Sequence, residues 1–137
     1  MRKLVKGNVS WVGYMDWELE MFHGDEYSIL NGSSQNAFLI EEEKTILVDT
    51  VWLPHRDEFI ENLKAEGVLD KIDAIIVNHG EQDHSGSLPA LLKEIPDTPL
   101  YCTAACVKSL KGQYGQQGWN FNVVKTGDSL DIGNGKQ

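Results

Sequence analysis

Residues 73–77 read Asp-Ala-Ile-Ile-Val, and Asn78-His79-Gly80-Glu81-Gln82-Asp83-His84 follows at once. A short unbroken apolar run of this kind reads as a buried strand. Such a strand needs packed layers around it, and the polar stretch that ends it falls where α/β folds place their chemistry. Ligands collect beyond the carboxyl ends of strands, on loops that a rigid sheet positions.

The rest of the chain supplies the other layers. Leu4 to Trp11 mixes apolar and polar residues around Gly7-Asn8, a hairpin-type turn. Glu26 to Leu30 reads as a short strand, closed by Asn31-Gly32-Ser33-Ser34. Ala37–Ile40 and Thr45–Val48 are apolar runs on either side of Glu41-Glu42-Glu43-Lys44, which predicts a second hairpin. From there the period changes. Pro54 suits a first helical position, Phe59, Ile60 and Leu63 fall at helical spacing, and Gly67 ends the helix. After the polar stretch, Ser85 or Ser87 can cap a helix whose stripe is Leu88, Leu91, Leu92 and Ile95. Leu100–Cys102 reads as a strand, Thr103–Tyr114 as a helix with Val107 and Leu110 inward, and Phe121–Val124 as a strand. Ser129–Ile132 resembles one more strand, with Gly133-Asn134-Gly135 as a hairpin turn after it. The fold class is therefore α/β (α+β): a mixed sheet with helices on one face, in one domain over residues 1–137.

Four of the seven residues from 78 to 84 carry metal-binding side chains. His79 and Glu81 are two apart, so in a turning loop both can converge on one point, while Asp83 and His84 converge on a neighbouring one. One short loop can thereby serve two metals. The competing reading is a solvated loop whose acids are surface charge. The placement between a buried strand and a capped helix speaks against it. Two imidazoles and two carboxylates without a thiolate point away from structural zinc, and zinc hydrolases prefer more imidazole. Hard oxygen donors mixed with histidine suit iron or manganese, and iron adds redox chemistry. The donor count is short for two metals. His23, in a loop before a strand, can line a pocket, whereas His55 reads as surface. No histidine follows His84, so the missing ligands are expected beyond Gln137.

Bulk properties narrow the partners. The net charge is −9 and the pI about 4.8, with no Lys/Arg cluster, so nucleic acid is not expected. No run approaches a membrane span, and the early Arg2-Lys3 pair is followed by no apolar secretory core; the cytoplasm is the expected location. Cys102 and Cys106 make no disulfide framework; spacing of four can place them on one helix face, and two buried free thiols are the expectation.

Several segments together carry a resemblance: FHGDEY, GSSQNAFLI, ILVDT, NHGEQDHSG, IPDTPLYCTA and WNFNVVKTGD, in this order. Over nearly its whole length the chain resembles the N-terminal part of the flavodiiron proteins, closest to their flavorubredoxin branch. The resemblance implies the first half of a metallo-β-lactamase-like αββα sandwich. It implies one iron on His79 and Glu81 and a second on Asp83 and His84, the last being replaced by water in some members. It implies a bridging aspartate and two further histidines later in the domain, which this chain lacks. A flavodoxin-like domain with FMN and a rubredoxin-type electron donor are also implied, neither within these residues. The implied reaction is reduction of nitric oxide to nitrous oxide, or of dioxygen to water, in a head-to-tail dimer. Asp49, ending the ILVD run, resembles the aspartate that braces the metal loop, its plainer reading being a strand-end turn residue. His23 and Tyr27 match a loop over the diiron pocket and can donate a hydrogen bond to a bound ligand. Trp52 fits pocket wall or simple packing. Glu81 stands where the hydrolytic relatives carry histidine.

Two other readings stay open. One is a zinc metallo-hydrolase of the same fold, which Glu81 disfavours. The other is a non-catalytic half-domain that pairs with another chain or a copy of itself, because half of a two-sheet sandwich leaves an apolar face uncovered. By itself the chain is expected to be inactive, and to be dimeric, partly disordered or aggregation-prone.

Overall fold

The computed structural model describes residues 3–16, 21–22, 27–28, 33–35, 37–51, 56–78, 85–115, 118–125, 127–130 and 132–133. Its elements are β1 (Lys3–Lys6), β2 (Val9–Trp11), β3 (Tyr14–Asp16), β4 (Met21–Phe22), β5 (Tyr27–Ser28), β6 (Ser33–Gln35), β7 (Phe38–Glu41), β8 (Thr45–Val48), α1 (Arg56–Ala65), β9 (Ile72–Ile76), α2 (Leu88–Glu94), β10 (Leu100–Cys102), α3 (Ala104–Tyr114) and β11 (Phe121–Val123). A single 3₁₀ turn, Leu69–Lys71, leads into β9.

Seven strands form one mixed sheet in the order β1-β2-β7-β8-β9-β10-β11. The hairpin-rich first half is antiparallel, and from β8 onward the pairs are parallel. That change follows from the connections: tight turns allow antiparallel neighbours, whereas parallel strands need a crossover, which α1, α2 and α3 supply. Gly7, at φ +55, makes the turn between β1 and β2. Gly67, at φ +71, ends α1 where the helical spacing stops.

All three helices cover one face. Their buried residues Phe59, Ile60, Leu63, Leu88, Leu91, Leu92, Cys106 and Leu110 share a core with Leu39, Leu47, Ile75, Val77 and Leu100 of the sheet. Each fully buried aliphatic or aromatic side chain contributes about 1.5–3 kcal/mol. The other face carries a smaller cluster, Ile46, Ala74 and Ile132, with Ile40, Val48, Ile76, Tyr101 and Leu130 partly buried beside it. A hollow of about 400 Å³ lies there, lined mainly by apolar side chains.

Three readings of the sequence change. Ser129–Ile132 is not a strand at its described residues. Ile132 accepts one bond from the Lys44 amide at 2.9 Å, Gly133 makes an isolated bridge, and Ile132 drops its side chain onto Ile46 and Ala74. The segment's described anchors are the Lys44 bond and the burial of Ile132, with Leu130 partly buried beside it. The helix after the polar stretch has Ser87 at its N-cap position without a side-chain cap bond, its hydroxyl donating instead to Val51 O. Cys102 and Cys106 do not share a helix face, since the first ends β10 and the second lies in the first turn of α3. Thr103, between them, is the cap, its side chain accepting from the Cys106 amide at 3.2 Å. The excursion between β2 and β7 also holds two small antiparallel pairs, β3 with β6 and β4 with β5; β5 falls within the strand expected at Glu26–Leu30, whereas β6 takes Ser33 and Ser34 from the expected turn.

Candidate metal centre

β8 and β9 are the first parallel pair in the sheet, and aspartates fasten both of their ends. At the start, the Thr45 amide donates to Asp73 Oδ2 at 2.8 Å. At the carboxyl end Val48 stands opposite Ile76, and the Asp49 amide continues the ladder by donating to Ile76 O at 2.8 Å. Asp49 then leaves the strand in the left-handed region, φ +62, the one described non-glycine residue to do so. Aspartate tolerates this backbone better than most residues, although it costs about 1 kcal/mol. The turn buries Asp49, at 6% exposure, and sets its carboxylate across the end of β9. There Oδ1 accepts the Asn78 amide at 2.8 Å and Oδ2 accepts Asn78 Nδ2 at 3.3 Å. Asn78 is thus held by backbone and side chain together, one position before His79.

The far side of the polar stretch is held as firmly. Ser85, Gly86 and Ser87 are buried. Ser87 Oγ donates to Val51 O at 2.8 Å, and Ser85 Oγ lies 2.9 Å from the Tyr114 hydroxyl at the end of α3. The buried segment Asp49-Thr50-Val51 therefore touches both the start and the exit of the loop. Asp49 is singled out by the family resemblance, its place at a strand end giving only the plainer turn reading. Sequence reading names Ser85 and Ser87 only as helix caps and misses Tyr114, because the partners lie 29 or more positions away and leave no periodic signal.

Beneath this arrangement sit the two cysteines, both free and buried. Cys106 Sγ points at Val77 O, 3.9 Å away. Burial pushes the Cys102 thiol up to about 12 from its ordinary 9, and the Cys106 thiol and its hydrogen bond reinforce this. Burial also raises Cys106; the bond from Cys102 opposes the rise and the Asp49 charge adds to it. Such thiols stay protonated and inert near neutrality. Native protein at pH 8 is expected to resist alkylation at both positions, with both labelled after denaturation. Labelling of the native state would show that α3 opens. The sign of the pH effect follows: the unfolded thiol ionises near 9 and the folded Cys102 only near 12, so stability is lost as pH climbs through that window.

His23, His79, Glu81, Asp83 and His84 lie outside the described residues, as do Trp52 and His55. Tyr27 pairs with Phe22 through β5, on the excursion between β2 and β7; its side chain also lies outside the description. Among the described residues no three metal-ligating side chains come together. No helix among them is long and apolar enough to cross a membrane. The candidate ligands thus sit within residues 79–84, between two anchored ends, and their donor chemistry is that of a mixed nitrogen and oxygen site.

Comparison with known proteins identifies the family. Residues 30–135 match the family model for the metallo-beta-lactamase superfamily. The chain is 56% identical, over all of its 137 residues, to an anaerobic nitric oxide reductase flavorubredoxin from Citrobacter koseri, of which it covers 28%. Among solved structures, the flavodiiron protein of Giardia intestinalis superposes with a TM-score of 0.89 at 32% identity, over 98% of this chain and 32% of that one. Rubredoxin oxygen:oxidoreductase from Desulfovibrio gigas gives a TM-score of 0.88 at 30% identity, over 97% and 33%. The chain therefore spans roughly a third of the length of the proteins it resembles.

Proposed function

We propose, on the premise that this chain belongs to the metallo-beta-lactamase superfamily, that it carries one part of the dinuclear iron site of a flavodiiron-type reductase acting on nitric oxide or dioxygen. The observation that carries the reading is the 56% identity, over all 137 residues, with a protein named for nitric oxide reduction. The anchoring of both ends of the 79–84 stretch supports it.

In this reading His79 and Glu81 hold one iron, and Asp83 and His84 hold the other. The donor set fits such ions, because carboxylate oxygens stabilise the higher iron charge that a redox cycle visits. Bound iron would supply the electrons that reduce a small diatomic molecule, and two adjacent metals would hold two such molecules without loss to diffusion. The protein's own part is positional. Asp49 fixes Asn78 and so limits where His79 can go. His23 and Tyr27 are assigned hydrogen-bond donation to the bound molecule. The bridging aspartate and two more histidines, the FMN-binding domain and the rubredoxin-type electron donor are assigned to sequence outside residues 1–137.

Metal analysis tests this directly. The complete protein that contains this chain is expected to hold two irons per polypeptide and to consume nitric oxide or oxygen. Zinc with hydrolytic activity would overturn the iron reading. Residues 1–137 alone are expected to bind iron weakly, and stoichiometric binding of two irons there would refute the division of ligands.

A further inference from the structure

We propose that the Tyr114 hydroxyl is a positioning group for the exit of the 79–84 stretch, and hence for the metal assigned to Asp83 and His84. The proposal rests on the diiron reading above and adds a residue that neither motif nor spacing suggests.

Ser85 directly follows His84, is fully buried, and has its hydroxyl 2.9 Å from the Tyr114 hydroxyl. Tyr114 comes from the last turn of α3, and its ring is fixed. It packs against the main core, with its centroid 6.0 Å from that of Trp119 at an interplanar angle of 48°. Trp119 is in turn 6.0 Å from Phe121 on β11. A tyrosine has only two side-chain torsions, so a packed ring places its hydroxyl within narrow limits. The buried Ser85 hydroxyl needs a partner, and this one is rigid. Two positions later Ser87 is tied to Val51 O, so the exit is held at two points by separate elements.

The start of the stretch is held by a different group, Asp49, through Asn78. Each anchor adjoins a different ligand pair: Asn78 precedes His79, and Ser85 follows His84. Removing the Tyr114 hydroxyl should therefore loosen one metal and spare the other. A purely structural role for Tyr114 would treat both alike.

The test uses Tyr114→Phe in the complete protein, which keeps the ring on Trp119 and deletes only the hydroxyl. Under a chelator, one of the two irons is expected to leave about tenfold faster than in the parent, with the other unchanged. Ser85→Ala removes the same bond and should also release one iron faster, and the double variant should lose less than the sum of the two single ones, because they share that bond. Loss of both irons at equally raised rates, or of neither, overturns the proposal. Hydrogen exchange supplies a second readout that needs no metal. Amides 84–87 should exchange faster in Tyr114→Phe, with 77–79 unaltered, and unchanged exchange at 84–87 overturns the proposal. Failure of the diiron reading would appear instead as a wrong metal or count in the parent protein. Should Tyr114→Phe not fold, Ser85→Ala carries the same comparisons.

Discussion

Replacing Asp49 with alanine is expected to weaken iron binding in the complete protein by about tenfold or more and to cost about 2–3 kcal/mol of stability. The carboxylate accepts two bonds from Asn78, at 2.8 and 3.3 Å, and alanine leaves both donors without it. Bonds to a charged acceptor contribute about 1.5–3 kcal/mol, and water reaches this half-buried site in part, which favours the lower end. Alanine must also occupy φ +62, where a side chain unable to bond locally fares worse than aspartate. Asp49→Asn separates these effects. Asparagine tolerates the left-handed backbone and keeps one oxygen for the Asn78 amide, but turns an NH₂ group toward Asn78 Nδ2. It should retain most of the stability and still lose iron faster. Chelator competition and urea unfolding on the two variants decide the matter. Undiminished iron retention in a folded Asp49→Ala protein would reduce Asp49 to a turn residue at a strand end.

How much of this was legible in the chain varies with the range of the forces involved. The helix stripes were readable because burial against one face imposes a period of 3.6, and Phe59, Ile60, Leu63, Leu88, Leu91 and Leu92 obey it. The hairpins were readable because Gly7-Asn8 and Glu41–Lys44 interrupt apolar runs. Pairing of β3 with β6 was not, since Ser33-Ser34-Gln35 is polar throughout and carries no alternation. The two serines misled for a related reason. A serine before a leucine stripe has the composition of a cap, yet both hydroxyls found tertiary partners, Val51 O and Tyr114. Local patterns record only local bonds. Asp49 lies between these cases: its position at the end of ILVD was visible, while its φ of +62 and its hold on Asn78 required the β8–β9 register. On the face away from the helices, Ile40, Val48, Ile76 and Tyr101 are partly buried among the described residues, beside Leu130 and Ile132.

Phe59→Ala is expected to cost about 3–5 kcal/mol, the largest loss of any single truncation proposed here. Phe59 heads the fully buried side chains among the described residues when these are ranked by volume, and it belongs to the core beneath the helices. Its removal forfeits transfer energy and leaves a cavity that the surroundings cannot readily close. Leu47 and Ile75, in the same core, sit on β8 and β9, whose ladder bonds hold them at fixed spacing. The consequence for the metal stretch should nevertheless be small. Asp49 meets Asn78 because of the β8–β9 register, and α1 contributes to that only by joining the two strands. Phe59→Ala should therefore lower the urea midpoint strongly, with an unchanged slope, while iron retained per folded molecule stays near the parent value. Asp49→Ala should show the reverse weighting, a modest midpoint shift with a large loss of iron. A stability change below about 1 kcal/mol for Phe59→Ala would mean that the helical layer is not closed around this ring. Equal loss of iron in both variants would mean that sheet register and helix packing are not separable, and that the metal stretch depends on the core as a whole.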